Sequence, residues 1–174
     1  MLGWGGGLSE HCVVPWQSLY RIPDNVSMEI GAMIEPLAVG WHAVKVSPIQ
    51  PGEIALVLGG GPIGLAVIQA LRAQGVGLII VSEVAEQRKQ FAQQFGADYV
   101  IDPSKDDIPK RVKEIDPSGE GANCVFDAAG VQAGLDAAID SLRVRGTLVN
   151  IAIWEKSAQI MPTKILLKEK KYSE

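Results

Sequence analysis

The sequence predicts an α/β protein built on a doubly wound parallel sheet, and three observations predict it. Apolar runs such as residues 54–58 are continuous, as expected of strands covered on both faces. From there onward such runs alternate with segments of helical periodicity, which implies parallel strands joined by helices on both faces. A glycine-rich turn, Gly59-Gly60-Gly61-Pro62-Ile63-Gly64, links the first run to the helical segment that follows it.

Taken in order, residues 1–27 are rich in turn formers, and the short apolar stretches at 8–15 and 18–22 read as β-like. Ser27 is a candidate N-cap, with Glu29 just inside the first turn, where the helix dipole favours an anion. Residues 28–46 then read as helix, in two pieces broken at Pro36. After Pro51-Gly52 comes the first strand, 54–58, and a helix over 62–74 with Ile63, Ala66, Val67 and Ala70 on one stripe. Residues 77–82 form the second strand and 85–95 the second helix, stopped by Gly96. A short third strand at 99–101 and a charged helix at 107–115 follow. Residues 122–127 are the fourth strand, 131–142 a helix, 146–151 the fifth strand and 164–168 a last helix. The crossovers should be right-handed. The chain ends at Glu174, about where a sixth strand should begin.

The 174 residues suffice for one ordinary domain plus a fragment of a second. Hydrophobic residues at 47% and charged residues at 21% favour a packed core over disorder. A net charge of −4 with no basic patch argues against nucleic acid and against an anionic membrane surface as partners. No apolar run approaches a membrane span, and the first residues lack the basic and apolar regions of a signal peptide. The expected compartment is therefore the reducing cytoplasm. Cys12 and Cys124 are too few and too far apart for a disulfide framework, and both read as small core hydrophobes. The stretch Lys168-Glu169-Lys170-Lys171 reads as solvated surface.

Gly59, Gly61 and Gly64 fit the spacing G-x-G-x-x-G. The spacing alone is weak in a chain with 19 glycines, but here it follows a strand and opens a helix, the context that gives it meaning. Gly59 allows the tight turn, Gly61 lets backbone approach a pyrophosphate, and Gly64 lets helix and strand pack closely. Pro62 suits the first helical turn, and the helix N-terminus offers free N–H groups and a positive dipole end to phosphates. An acidic residue is expected about 20 residues on, at the end of the second strand, and Glu83 stands there. Its carboxylate can accept both adenosine ribose hydroxyls and repel a 2′-phosphate. Two unit charges about 4 Å apart at an effective dielectric near 20 repel by ~4 kcal/mol, which exposure would cut to about 1–2 kcal/mol. That favours NAD over NADP. Arg88 can stack on the adenine or contact a 2′-phosphate. Plainer readings, a flexible turn for the glycines and a solvated charge for Glu83, stand beside these.

The strings GGLSEH from Gly6, YRIPDN from Tyr20, IEPLAV from Ile34, LGGGPIGL from Leu58 and QFGADYVIDP from Gln94 occur in one collinear order. Together they resemble the zinc-dependent medium-chain dehydrogenases, in particular the polyol and 2,3-butanediol dehydrogenase branch, over essentially the whole chain. The resemblance implies a Rossmann cofactor domain over 28–174, truncated near its sixth strand. It also implies that residues 1–27 are a remnant of a chaperonin-like β-barrel catalytic domain. It implies hydride transfer between NAD and a secondary alcohol, diol or polyol with catalytic zinc, and homo-oligomers joined near the sixth strand. Glu35 resembles the carboxylate facing that zinc, either as ligand or by holding its water; a helix-surface charge is the plain alternative. Ile63, Glu83, Arg88, Ala129 and Ile151, Ala152 and Ile153 resemble cofactor contacts. The family's Cys and His-Glu zinc ligands have no counterpart here, and His42 reads as a packed helix residue. The chain alone is therefore expected to be inactive. A non-catalytic nucleotide-binding module or truncated product is the alternative reading. A methyltransferase and a zinc-free quinone reductase are more distant rivals.

Overall fold

A computed structural model describes residues 7–173; residues 1–6 of the amino-terminal segment, and Glu174, lie outside the described residues. The chain divides into two compact units, Met1–Met33 and Ile34–Glu174.

In the described part of the first unit the expected β-like stretches form no strand; one 3-10 turn, Trp16–Ser18, and helix α1, Met28–Ala32, are its regular elements. The barrel-remnant expectation thus finds no strand here. An extended segment becomes a strand only by bonding to a neighbour, and the described residues of this unit supply none. Leu8, Val13, Trp16 and Tyr20 are accordingly exposed, and so is Cys12, which is no core residue. Ser27 does cap α1, its hydroxyl accepting from the Ile30 N–H at 3.3 Å.

The second unit opens with α2, Ile34–Val46. The helical break therefore falls at Met33, not at Pro36. Pro36 sits in the first turn of α2, where a missing N–H leaves no bond unmade. Then follow β1 (Ile54–Leu58), α3 (Pro62–Ala73), β2 (Leu78–Ser82), α4 (Glu86–Gln94), β3 (Tyr99–Ile101) and α5 (Ile108–Ile115). The chain continues through β4 (Ala122–Asp127), α6 (Gln132–Ser141), β5 (Leu142–Asn150), α7 (Pro162–Leu166) and β6 (Lys171–Ser173). The six strands form one sheet in the order β3-β2-β1-β4-β5-β6, with every adjacent pair parallel. The order reverses between β1 and β4, and in such sheets the crevice at the carboxyl ends of the strands is where ligands bind.

Strand β1 buries both faces, which is why its sequence is continuously apolar. In β1, Ala55 and Val57 join a core with Val67, Leu71, Ile79 and Phe126. Ile54, Leu56 and Leu58 join a second core with Ile80, Val112, Val125 and Leu135. Alternation along a strand sends successive side chains to opposite cores. Helix α2 lies so close on α3 that a Cβ on Gly40 would come within 2.7 Å of the Ala66 Cβ.

Three further expectations change at the carboxyl-terminal edge. Strand β5 begins at Leu142 rather than 146, because α6 runs directly into extended backbone. A sixth strand is present, with Leu148 opposite Tyr172, so the edge of β5 is covered. Lys170 is buried rather than solvated: its ammonium donates to the Ile139 carbonyl, and burial, followed by the nearby Lys168, pulls its pKa down to about 8.

Candidate nucleotide-binding site

The cradle is built where β1 meets α3. Gly59 turns the chain with φ +94°, a conformation side chains disfavour, and its N–H donates to the Ser82 carbonyl at 2.9 Å. A Cβ on Gly64 would lie 1.9 Å from the Gly59 oxygen, so helix and turn touch there. Gly61 differs. Its backbone is extended (φ −74°, ψ −177°), and a Cβ on it would meet nothing within 4 Å. Pro62 is the first residue of α3, and no side chain caps that N-terminus. The first-turn N–H groups, Ile63's among them, are thus left without a side-chain acceptor.

Glu83 follows β2 and is 5% exposed, so it is no solvated strand-end charge. One carboxylate oxygen accepts the Gly60 N–H at 2.7 Å; the other accepts the Val84 and Ala85 N–H groups at 2.8 Å each. The Arg88 guanidinium stands 3.9 Å away. Burial pushes the carboxyl pKa up, but the three backbone donors and Arg88 outweigh it and hold it below the usual carboxylate range. Glu83 therefore clasps the glycine turn through its side chain.

A cleft of about 670 Å³ opens here, lined by Gly59, Gly61, Glu83, Arg88, Ile108 and Ala129 among others. Ala129 is shared with a neighbouring cleft of about 730 Å³ that also takes in Ile153 and Trp154. Ile151 lies in a third, of about 690 Å³, with Glu35, Trp41, His42 and Asn150. Ala152 is tied to β4, its N–H donating to the Asp127 carbonyl at 3.0 Å. The predicted residues are thus spread over three clefts rather than one, with Pro62, Ile63, Gly64 and Ala152 in the lining of none of them. Glu35, expected to be partly buried, is exposed. His42, expected to pack, is exposed as well; seven residues along the same helix, it lies two turns from Glu35 and lines the same cleft. Among the described residues no group of three or more His, Cys, Asp or Glu could hold a metal ion. Sequence reasoning passed over Asp127, an acid ending the apolar buried run Cys124-Val125-Phe126, which was the available signal.

Residues 62–174 match the family model described as zinc-binding dehydrogenase. The chain is 42% identical over 171 residues to the (R,R)-butanediol dehydrogenase of Bacillus subtilis, spanning 98% of this chain and 49% of that protein. It is 37% identical over 168 residues to the (R,R)-butanediol dehydrogenase of Neisseria gonorrhoeae, spanning 96% and 47%. The crystal structure of the B. subtilis 2R,3R-butanediol dehydrogenase superposes with a TM-score of 0.81 at 41% identity, covering 88% of this chain and 44% of that one. A Sinorhizobium meliloti zinc-binding dehydrogenase structure with NADP bound superposes at 0.84 with 29% identity, covering 92% and 48%. The chain spans about half the length of these relatives. On the family match, these identities and the sheet order, the chain belongs to the zinc-binding dehydrogenase family.

Proposed function

We propose that this chain is the NAD(H)-binding portion of a zinc-dependent oxidoreductase acting on a secondary alcohol, vicinal diol or polyol. The observation that carries the cofactor reading is Gly61. Its backbone conformation suits any residue and no atom of the described residues crowds it, so nothing among them calls for glycine there. A ligand that must reach the backbone does.

In this reading Gly59, Gly61 and Gly64 with Pro62 shape the turn, and the Ile63 end of α3 faces the pyrophosphate. Glu83 accepts ribose hydroxyls and disfavours a 2′-phosphate. Arg88 lies over the adenosine side, and Ala129 with Ile151, Ala152 and Ile153 lines the path to the nicotinamide. When bound, NAD supplies the hydride acceptor for alcohol oxidation. Glu35 is the one carboxylate here proposed to face the zinc. A catalytic zinc needs three protein ligands and an open position. The described residues provide no such set, so zinc does not fit this chain alone and no step is derived through it. Accordingly the chain by itself is proposed to bind nucleotide without turnover. Residues 1–27 are proposed to belong with the catalytic domain of the longer protein, which is proposed to self-associate. No described helix is long and apolar enough to cross a membrane.

Calorimetric titration with NADH and NADPH tests this. NADH binding clearly tighter than NADPH is expected, and Gly61→Ala should weaken it at least tenfold while leaving the unfolding midpoint unchanged. Failure of a folded chain to bind either nucleotide would overturn the proposal.

A further inference from the structure

Asp127 ends β4 at the crevice and is 0% exposed. A carboxylate so buried needs hydrogen bonds to offset its lost hydration. Its Oδ1 accepts the backbone N–H groups of Ala129 at 2.9 Å and Gly130 at 3.0 Å. Its Oδ2 is buried without a partner among the described residues. Its backbone carbonyl accepts the N–H groups of Ile151 at 2.9 Å and Ala152 at 3.0 Å, and the next N–H, that of Ala128, donates to the Leu58 carbonyl at 3.0 Å. Asp127 therefore ties the loop after β4 to the loop after β5, and its neighbour Ala128 ties that junction to the end of β1. The two loops also touch, since a Cβ on Gly130 would lie 3.0 Å from the Ala152 Cβ.

The strand order says what those loops face. A dinucleotide with one ribose on Glu83 after β2 and its pyrophosphate at α3 after β1 must carry its second nucleoside onward over β4 and β5. From β2 to β5 is three strand spacings, about 14 Å at ~4.8 Å each. We infer that Asp127 is the positioning residue for the nicotinamide half of the dinucleotide. Its side chain acts through the backbone of Ala129 and Gly130, the loop that packs on Ala152, without touching the ligand, while its main-chain carbonyl holds Ile151 and Ala152 whatever the side chain. The inference rests on the cofactor reading above.

The test titrates the full chain and its Asp127→Ala and Asp127→Asn variants with NADH and with ADP-ribose, which lacks the nicotinamide. Asn keeps the Oδ1 acceptor and places its amide nitrogen where the unpartnered oxygen stands. Asp127→Ala is expected to weaken NADH at least tenfold and ADP-ribose less than twofold, and to abolish the shift in nicotinamide fluorescence on binding; Asp127→Asn restores both. Equal loss of the two ligands, or no loss, overturns the inference while leaving the cofactor reading intact. Should circular dichroism show Asp127→Ala unfolded, Gly130→Ala displaces the same loop at φ +65° against Ala152. The same NADH-selective loss is then expected, and an equal or absent loss overturns the inference. A folded parent that binds neither nucleotide removes the cofactor reading and this inference with it.

Discussion

Replacing Glu83 with Gln removes one charge and one acceptor from a clasp with three backbone donors. If the amide oxygen keeps the Val84 and Ala85 N–H groups, the new NH2 faces the Gly60 N–H across 2.7 Å, donor against donor. A hydrogen bond to a charged group contributes about 1.5–3 kcal/mol and a neutral one about 1 kcal/mol. Losing the first outright and weakening the other two gives about 3–4 kcal/mol. Relief from burying a charge offsets part of this, leaving a net destabilisation of about 2–3 kcal/mol at pH 7. The folded-state pKa of Glu83 lies below its unfolded value of about 4.3. Its stabilisation is therefore fully present above that unfolded value and is lost as pH falls through the folded pKa. Urea unfolding of parent and variant, followed by circular dichroism, reads both effects. The gap should be about 2–3 kcal/mol at pH 7 and should close progressively below pH ~4. A gap below about 0.5 kcal/mol at pH 7, or one that stays constant into acid, refutes the clasp. In the same variant the repulsion of a 2′-phosphate disappears, so the NADPH-to-NADH affinity ratio should rise about tenfold, since 1.4 kcal/mol is a factor of ten.

Further outcomes follow from single contacts. Gly64→Ala would set a Cβ 1.9 Å from the Gly59 oxygen; it should destabilise by about 3 kcal/mol or more, visible as a lowered urea midpoint, in contrast to Gly61→Ala. Arg145 has φ 61° with no glycine to ease it, and its partner Glu169 makes an exposed pair at 2.8 Å. Left-handed backbone costs about 1–2 kcal/mol while water screens the exposed pair, so Arg145→Gly should raise the melting temperature by a few degrees; a fall would mean the pair outweighs the strain. Burial pushes the Cys124 thiol up to about 12 while Cys12 is exposed. Alkylation of the native chain at pH 8 should modify Cys12 and spare Cys124, as read by peptide mass spectrometry.

By itself the sequence determined the strands and helices from residue 54 to 142, the glycine turn and the acid after β2. Those are local matters: a strand buried on both faces must be apolar at every position, and a helix that opens on a turn shows its glycines and proline in order. Residues 8–22 show the limit of that logic, because extended apolar stretches look like strands whether or not a partner exists to bond them. The tertiary structure decided which strands are neighbours, and with that where the crevice opens and which loops face it. It gave the two glycines their surroundings, open space at Gly61 and a carbonyl against Gly64. Burial and partners depend on what distant segments bring to a residue. So only the assembled sheet showed Glu83 clasping Gly60, Asp127 sealed between two loops, and Lys170 under α6.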